Sequence, residues 1–366
     1  MREKYILFLG GSKLGLNPIK WAKEIGFRVI VNDKNPMAEA LKYADVEINF
    51  DSEDSLGISI WVMENSVRYD IVYCYCGSDF GLFCAATIHS ILGIQAPSIG
   101  SIVTGLDKKL MRLAWGKKQI PLASIIEMSH DTDIVDRVRS ECELPFVIKP
   151  SGSSGSRGVT LVRNWSSLES AVDEANRYGN GSGLIIEELI EGTHHDVNGL
   201  FINGEFCHCG IMDRYFIQSE FPVSYKGNYP SNLSGEIQAE LYSILREASL
   251  LLGINSGPVK ADFILSNGKP YLLEVSPRFH GDILTTRSME FLGNLNPVFQ
   301  FFKYLFDKTS VFTPFTAEIG YGEWRAFFKE EDILENNDFH IHRLRSRPSK
   351  EIKNNTDYLA IGWKCK

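Results

Sequence analysis

Two acidic residues late in the sequence have the spacing of a shared metal site. Asp262 and Glu274 lie on two predicted strands, VKADFIL and PYLLEVS, which the segment SNGK joins. With a three-residue turn from Asn267 to Lys269, Asp262 pairs directly with Glu274, and their Cβ atoms are roughly 5 Å apart. Facing carboxylates repel each other unless a cation bridges them, and such oxygen ligands suit Mg²⁺. A two-residue turn at Asn267-Gly268 would instead place the two acids on opposite faces of the hairpin.

The second of these strands places further polar groups beside the acids. Glu274, Ser276 and Arg278 alternate along it, so their side chains share one face of the hairpin. We therefore expect a metal ligand, a hydroxyl and a guanidinium on that face. The alternative is a solvated hairpin on which the charges are scattered and have no joint function.

A loop rich in glycine and serine follows the predicted strand PFVIKP. Its sequence is SGSSGSRG, from Ser151 to Gly158, and Lys149 precedes it on the strand. Glycines permit close approach of the backbone to a ligand, while the serines and Arg157 add small donors and a positive charge. This pattern predicts a flap that covers a polyphosphate. It is not a Walker A loop, because no Gly-Lys-Ser/Thr closes it before a helix, and a flexible connector remains the alternative.

The segment LIIEELIEG, residues 184–192, is a third candidate for a binding function. Apolar residues of a predicted strand lead into Glu187, Glu188 and Glu191. The backbone of such a strand edge can pair with adenine, and a carboxylate can accept a hydrogen bond from the adenine amino group. Without further context, the segment is also typical of an amphipathic strand end.

The elements that must position these residues follow from the apolar pattern of the chain. Over residues 1–100, strands such as YILFLG alternate with helices, which predicts a parallel sheet with helices on both faces. The loop from Gly10 to Gly15 is not a dinucleotide-binding fingerprint, because Ser12 stands where the second glycine is required. An oxidoreductase built on this unit is therefore disfavoured. We expect residues 214–233 to form an irregular surface loop that acts as a lid.

Composition and charge exclude several other classes of protein. The chain has 366 residues, of which 44% are hydrophobic and 23% charged, which is ordinary for a globular protein of two or three lobes. Its net charge of -8 argues against a general nucleic-acid binder. No apolar run has the roughly 18 residues of a membrane span, so we expect no membrane partner. The seven cysteines form no Cys-x-x-Cys pair, which favours free thiols in the cytoplasm over a metal or redox site.

The order of these parts resembles the ATP-grasp superfamily over roughly residues 1–306. A βαβ domain is followed by a helix with Asp107-Lys108, by Lys149 and its flap, by a strand that ends in Glu-Gly, and by Asp262 and Glu274-x-Ser-Pro-Arg278. The segment GPVKADFIL, followed by YLLEVSPRFHGD, is the clearest single piece. The branch that it most resembles is that of the carboxylate–amine ligases, which are related to biotin carboxylase and carbamoyl-phosphate synthase.

The resemblance implies a multi-lobe protein of mixed α/β and α+β class, with the ATP-grasp fold. Residues 1–100 would form a Rossmann-like domain with a parallel sheet. Residues 101–185 would hold a linker helix and the first ATP-binding α+β lobe with its flap. Residues 186–306 would form the second lobe with the metal site, and residues 307–366 a small β-rich appendage.

The resemblance also implies roles for individual residues. Glu187 would accept from the adenine amino group, and Ile190 would contact adenine through its backbone. Arg278 would hold the acyl substrate or the transferring phosphate, and it is the predicted catalytic residue together with Lys149. The implied nucleotide-binding set is Lys108, Lys149, Ser153, Ser154, Gly155, Ser156, Gly158, Glu187, Glu188, Ile190 and His194. The implied ligands of Mg²⁺ or Mn²⁺ are Asp262, Glu274 and Ser276.

Two positions depart from the family's pattern. His194 stands where a ribose-binding Glu is frequent, and we expect from it a surface or ribose contact rather than catalysis. Ser276 stands where Asn is common. Because a serine hydroxyl is a shorter and poorer ligand than an asparagine carbonyl, a second metal ion would bind more weakly or through water.

The implied function is that of an ATP-dependent ligase. A substrate carboxylate would attack the γ-phosphate of ATP, and an amine or another nucleophile would then displace phosphate from the acyl-phosphate. We expect this substrate to lie near Gly11, Ser78 and Arg278. The expected partners are small-molecule carboxylates and amines, and we allow for a homodimer. Two alternatives remain open: a nucleotide-binding module without ligase activity, and an enzyme that resembles biotin carboxylase and activates bicarbonate.

Overall fold

The structure is a computed structural model that describes residues 2–116, 118–129, 134–179, 181–281 and 292–365. Its described strands form three sheets, of four, four and eight strands. The first sheet is parallel and the other two are antiparallel, so the predicted multi-lobe α/β and α+β class is confirmed. Among the described residues, no helix combines the length and the hydropathy that crossing a bilayer requires.

The N-terminal part is the predicted parallel sheet with helices on both faces. Its elements are β1 (Lys4–Leu9), α1 (Leu16–Ile25), β2 (Arg28–Asn32), β3 (Val46–Ile48), α2 (Ser55–Asn65), β4 (Asp70–Cys76) and α3 (Leu82–Leu92). The strand order is β3-β2-β1-β4. Alternate residues of β1 pack in two different cores, Ile6 and Phe8 on one face and Leu7 and Leu9 on the other. Burial on both faces explains why this strand is apolar throughout.

Two short helices, α4 (Ile99–Leu106) and α5 (Lys108–Trp115), connect this sheet to the rest of the chain. Asp107 caps α5, since its carboxylate accepts from the backbone N–H of Leu110 at 2.9 Å. The cap makes Lys108 the first helical residue, and the backbone N–H of Lys108 donates to the carbonyl of Ser151 at 3.0 Å. The helix start is thereby tied to the base of the predicted flap.

The first lobe is a four-stranded sheet covered by a helix. Its elements are β5 (Ile125–Ser129), α6 (Val135–Glu141), β6 (Phe146–Pro150), β7 (Thr160–Val162), α7 (Leu168–Gly179) and β8 (Leu184–Glu188), and its strand order is β5-β8-β6-β7. The flap therefore joins two neighbouring antiparallel strands, β6 and β7, as predicted. Strand β8 crosses the predicted lobe boundary at residue 185 and belongs to this first sheet.

The second lobe is an eight-stranded sheet with the order β13-β12-β9-β10-β11-β14-β16-β15. Its elements are β9 (Thr193–Ile202), β10 (Glu205–Phe216), β11 (Ser224–Tyr229), α8 (Gly235–Leu251), β12 (Gly257–Ser266), β13 (Lys269–Ser276), α9 (Pro297–Phe306), β14 (Gly322–Phe327), α10 (Glu330–Glu335), β15 (His340–Arg343) and β16 (Ala360–Cys365). Helix α9 packs on the N-terminal sheet, where the ring of Phe302 meets that of Phe8 at 5.8 Å.

The strands β14, β15 and β16 make residues 307–366 rich in β-structure, as expected. They continue the sheet of the second lobe, because β14 pairs with β11. Residues 214–233 are not an irregular lid throughout. Their first three residues end β10, and β11 lies between β10 and β14. Hydrogen bonds to the preceding strand and to β14, which is distant in the sequence, therefore order much of this segment.

Candidate active site

A cavity of about 1240 Å³ lies where the two lobes and the N-terminal domain meet. Most of the residues singled out from the sequence line this one space: Lys108, Lys149, Ser153, Ser154, Gly155, Ser156, Glu187, Glu188, Ile190, His194, Asp262, Glu274 and Arg278. Gly158 and Ser276 are not among its lining residues. Groups that are up to 170 positions apart in the sequence, such as Lys108 and Arg278, are thus brought together.

The hairpin that bears the two acids has a different turn from the expected one. Ser266 pairs with Lys269, so the turn has two residues, Asn267 and Gly268, with φ angles of 50° and 77°. These left-handed conformations are those of the Asn-Gly type I′ turn. The expected three-residue turn is therefore wrong, and by itself the shorter turn would place the two acids on opposite faces.

A β-bulge restores the expected pairing of the acids. Phe263 pairs with Leu272, whereas Asp262 pairs with Glu274, so Leu273 is an extra residue on β13. One extra residue reverses the alternation of faces beyond it. As a result, Asp262 and Glu274 are cross-strand neighbours despite the shorter turn.

A buried lysine joins the two carboxylates. The Nζ atom of Lys260, on β12, lies 3.0 Å from Asp262 Oδ1 and 2.5 Å from Glu274 Oε1. The other oxygen of Glu274 lies 3.2 Å from Lys108 Nζ. Burial opposes ionisation of both acids, but Lys260, together with His280 and Arg214 at Asp262 and with Lys108 at Glu274, keeps the pKa of each carboxyl below its usual range. The two acids are therefore ionised at neutral pH.

Arg278 and Ser276 are both held by an acid of the N-terminal domain. Arg278 donates from Nε and Nη2 to the two oxygens of Asp79 at 2.7 and 2.6 Å, and the Ser276 hydroxyl donates to Asp79 Oδ1 at 2.9 Å. Burial opposes the ionisation of Asp79, but Arg278, with Lys260 and the Ser276 hydroxyl, lowers the pKa of Asp79. The hydroxyl of Ser276 thus bonds to Asp79 and does not join Asp262 and Glu274. This geometry does not support its predicted role as a metal ligand.

Lys149 and Glu187 form a buried ion-pair triad with Arg112. Lys149 Nζ lies 2.5 Å from Glu187 Oε2, and Arg112 donates to Glu187 Oε1 from Nε at 2.9 Å and from Nη2 at 2.6 Å. The side chain of Glu187 is 2% exposed. Burial disfavours its charge, yet Lys149 and Arg112 keep the pKa of Glu187 low. Both oxygens of Glu187 already accept from cations, so an adenine amino group would have to share them.

The other predicted nucleotide contacts lie at the end of β8, on the link to β9 and at the start of β9. Glu188 accepts from the backbone N–H of Ser124 at 2.8 Å, and Ile190 lies on the link between β8 and β9. The His194 ring packs on that of Phe216 at 4.4 Å. Burial, with Arg214 nearby, lowers the pKa of His194 to about 4. His194 is therefore neutral at physiological pH and can offer a hydrogen bond but no charge.

The side chains of Lys108 and Arg157 hold the flap. Lys108 Nζ donates to the carbonyl of Ser153 at 2.6 Å, and the Arg157 guanidinium donates from Nε to the carbonyl of Ser154 at 2.9 Å while lying 4.8 Å from the centre of the Phe80 ring. Gly155 and Gly158 have φ angles of 67° and 77°. Gly158 lies at the base of the flap, where a Cβ atom would meet the carbonyl oxygen of Glu174 at 3.1 Å, so its role is conformational.

A further charged group, missed in the sequence, lies on the opposite side of Asp262. Asp196 on β9 pairs with Asp262 on β12, and Arg214 and His280 lie 3.3 and 3.2 Å from Asp196 Oδ2. His280 Nε2 also lies 3.4 Å from Asp262 Oδ1. Acidic side chains therefore alternate with cationic or imidazole side chains along the cavity wall. Each described carboxylate near the predicted metal site has a neighbour of the second kind.

Comparisons with known proteins identify a family for the middle of the chain. The family of the ATP-grasp domain matches residues 116–282. A D-alanine–D-alanine ligase of Coprothermobacter proteolyticus is 30% identical over 206 residues, which are 52% of this chain and 66% of that ligase. The chain spans at most 66% of the length of the first curated relatives that it matches.

Two solved structures share the fold along the whole chain. An L-amino acid ligase from Bacillus licheniformis has a TM-score of 0.77 at 16% identity, with 100% of this chain and 94% of that chain covered. The biotin carboxylase domain dimer of the Hydrogenobacter thermophilus 2-oxoglutarate carboxylase, in complex with MgADP, ADP and bicarbonate, has a TM-score of 0.72 at 17% identity, with 99% and 86% covered. The chain thus has the predicted ATP-grasp fold, and its residues 116–282 belong to the ATP-grasp domain family.

Proposed function

We propose that this chain is an ATP-dependent ligase that activates a carboxylate as an acyl-phosphate and joins it to an amine. The single observation that supports this most is the cavity in which Lys108 and Lys149, the flap, and the facing pair Asp262 and Glu274 meet. Lysines, a glycine-rich flap and paired carboxylates are what the transfer of a phosphoryl group requires, since the main task is to stabilise charge on phosphate oxygens.

The nucleotide would lie between the two lobes. Lys149 and Lys108 would contact its phosphates, the flap residues Ser153 to Gly158 would cover them, and the link through Ile190 would contact adenine. Glu187, which Arg112 holds in place, would position Lys149 in this arrangement, because its Oε2 atom lies 2.5 Å from Lys149 Nζ. The complex of a related fold with MgADP supports ATP as the nucleotide.

Asp262 and Glu274 fit a divalent metal ion, because the structure already holds one cation, the Lys260 ammonium, in contact with both. Oxygen-only ligands favour Mg²⁺ or Mn²⁺. Such an ion, when bound, neutralises charge on the nucleotide phosphates and so favours phosphoryl transfer. Ser276 would join this site only if its hydroxyl left Asp79.

The acyl substrate would lie between the ATP site and the carboxyl end of the parallel sheet. A second cavity of about 90 Å³ is lined there by residues of both domains, including Gly10, Ser12, Ser78 and His280. Ser78 and His280 also line the larger cavity, so the two spaces adjoin. The names of the related ligases favour amino acids as both the carboxylate and the amine.

The residues of the chain would then act in two steps. In the first, a carboxylate oxygen attacks the γ-phosphorus and ADP leaves, while Lys108, Lys149 and Arg278 stabilise the negative charge. In the second, the amine attacks the acyl carbon, phosphate leaves and the amine loses a proton. The closed flap would exclude water, which would otherwise hydrolyse the acyl-phosphate.

The test is ADP release in a screen of amino-acid pools, each alone and in pairs, with bicarbonate as a separate condition. The proposal predicts release that needs Mg²⁺ and both a carboxylate and an amine. Release with bicarbonate alone would favour the biotin-carboxylase alternative. ADP binding without release under any condition would favour a nucleotide-binding module.

We also propose that two copies of the chain associate through helices α2 and α3. Their exposed surface is apolar: the residues that form it are Leu56, Ile60, Met63, Phe83 and Ile91, which are 40 to 73% exposed, and Val67, two residues beyond α2, is 81% exposed. Helix α3 contains no Lys, Arg, Asp or Glu, and α2 contains only Glu64. A standard interface buries about 800 Å² on each partner. An uncharged apolar surface packs best against another uncharged surface, and in a dimer with two-fold symmetry the same surface of the second copy is that partner.

Light scattering of the wild-type chain and of two variants tests this dimer. Leu56→Glu should give a monomer, whereas the matched control Leu334→Glu, at a similarly exposed leucine of α10, should leave a dimer. A monomeric wild-type chain would contradict the proposal. The thiols of Cys74, Cys76, Cys84, Cys207 and Cys209 are free, which is consistent with the further proposal of a cytoplasmic location.

A further inference from the structure

Lys260 is the most buried cation of the predicted metal site. Its side chain is 3% exposed, and its Nζ atom contacts Asp262 and Glu274 at 3.0 and 2.5 Å. Lys260 precedes Asp262 by two residues on β12, so both side chains project from the same face of the sheet. Distances of this kind are those of direct charge-assisted hydrogen bonds. The ammonium therefore occupies the space between the two carboxylates, where a metal ion would lie.

The four charged groups at this position have no net charge. Two carboxylates, Asp262 and Glu274, face two ammonium groups, Lys260 and Lys108. A bare divalent cation would enter a neutral cluster and would meet the repulsion of both lysines. A metal ion that arrives on a nucleotide brings several negative charges with it, and these offer the lysines a new partner.

We infer that Lys260 is an internal counter-ion that holds the metal position until the metal–nucleotide complex arrives. The Nζ atom of Lys260 then leaves Asp262 and Glu274 for the phosphate oxygens, since Lys260 also lines the cavity. The protein alone consequently has little affinity for the divalent metal, and the metal enters together with the nucleotide. This inference rests on the proposed function, because it takes Asp262 and Glu274 as the metal ligands.

Binding of Mn²⁺, followed by electron paramagnetic resonance without nucleotide, tests the inference. Lys260→Met keeps the length of the side chain but leaves the cluster with a net charge of -1. We expect it to bind Mn²⁺ at least about tenfold more tightly than wild type, which corresponds to ~1.4 kcal/mol. Lys269→Met, at an exposed lysine of the same hairpin, is the matched control and should bind Mn²⁺ like wild type.

Equal Mn²⁺ affinity of Lys260→Met and wild type would overturn the inference. If Lys260→Met does not fold without metal, Lys260→Arg, which keeps the charge, replaces it and should bind Mn²⁺ as weakly as wild type. In wild type, ADP should raise the Mn²⁺ affinity at least about tenfold, and equal affinity with and without ADP would also contradict the inference. These measurements need no turnover, so failure of the ligase screen and failure of this inference are separate results.

Discussion

Replacement of Glu187 by Gln should destabilise the first lobe strongly. Glu187 is 2% exposed and neutralises Lys149 and Arg112 at the same time. A glutamine has the same shape, but its amide NH₂ would face one of the two cations, which leaves a donor against a donor. The variant therefore keeps the packing of the lobe and removes only the charge that compensates the two buried cations.

The size of the effect follows from the burial of the triad. Removing one partner of a buried ion pair costs about 3–5 kcal/mol, because the remaining charge is left uncompensated. Burial already lowers the pKa of Lys149, so loss of its proton in the variant would bring the cost toward the lower end of that range. The same loss would remove a positive charge from the phosphate site, and nucleotide affinity should fall as well.

Hydrogen exchange of the β6 and β8 amides measures this effect locally, which matters because a multi-lobe chain need not unfold in one step. A cost of 3 kcal/mol corresponds to exchange that is on the order of 10²-fold faster. Glu188→Gln is the matched control. The Glu188 carboxylate is partly exposed and accepts a hydrogen bond from the backbone N–H of Ser124, and a glutamine can keep this bond. Equal exchange rates in the two variants would refute the role assigned to the triad.

Three further predictions concern the metal acid, the interdomain ion pair and the flap. Glu274→Gln should lower turnover by on the order of 10²-fold and should lower ADP affinity much less. An ADP-release assay measures the turnover and calorimetry measures the affinity. If the variant turned over like wild type, Glu274 would not be a metal ligand. The folded-state pKa of Asp79 is lowered, so its pairing with Arg278 stabilises the fold above the unfolded pKa and is lost as the pH falls. Asp79→Asn should therefore melt below wild type at neutral pH, with a difference that shrinks on acidification; a constant difference would contradict this. Amides of residues 151–158 should exchange quickly without nucleotide and slowly with ATP and Mg²⁺, whereas slow exchange in both states would indicate a structural loop.

The hairpin shows which part of the site the sequence could predict. The pair Asp262 and Glu274 was expected to face each other, and it does, although the turn is shorter than expected. The Asn267-Gly268 turn has a strong local signal. The bulge at Leu273 has none, because it depends on how the strand fits its neighbours. The predicted pairing of the two acids is therefore correct, although the turn length from which it was derived is wrong.

The missed charged partners differ in how visible they were. Lys260 is two residues from Asp262 on a strand, and Arg112 is four residues from Lys108 on a helix, so both shared a face with a predicted site residue. Asp79, in contrast, is separated from Arg278 by 199 positions. No local pattern could connect them, since their contact arises only when the N-terminal domain packs on the second lobe.

Transfer of a labelled carboxylate oxygen to phosphate tests ligation through an acyl-phosphate most directly. Once the screen has identified an active pair, the carboxylate substrate is prepared with a heavy oxygen isotope and the products are followed by phosphorus NMR and mass spectrometry. The proposed mechanism predicts ADP and a phosphate that carries one labelled oxygen. Formation of AMP and pyrophosphate, with the label in AMP, or of unlabelled phosphate with ADP, would contradict it.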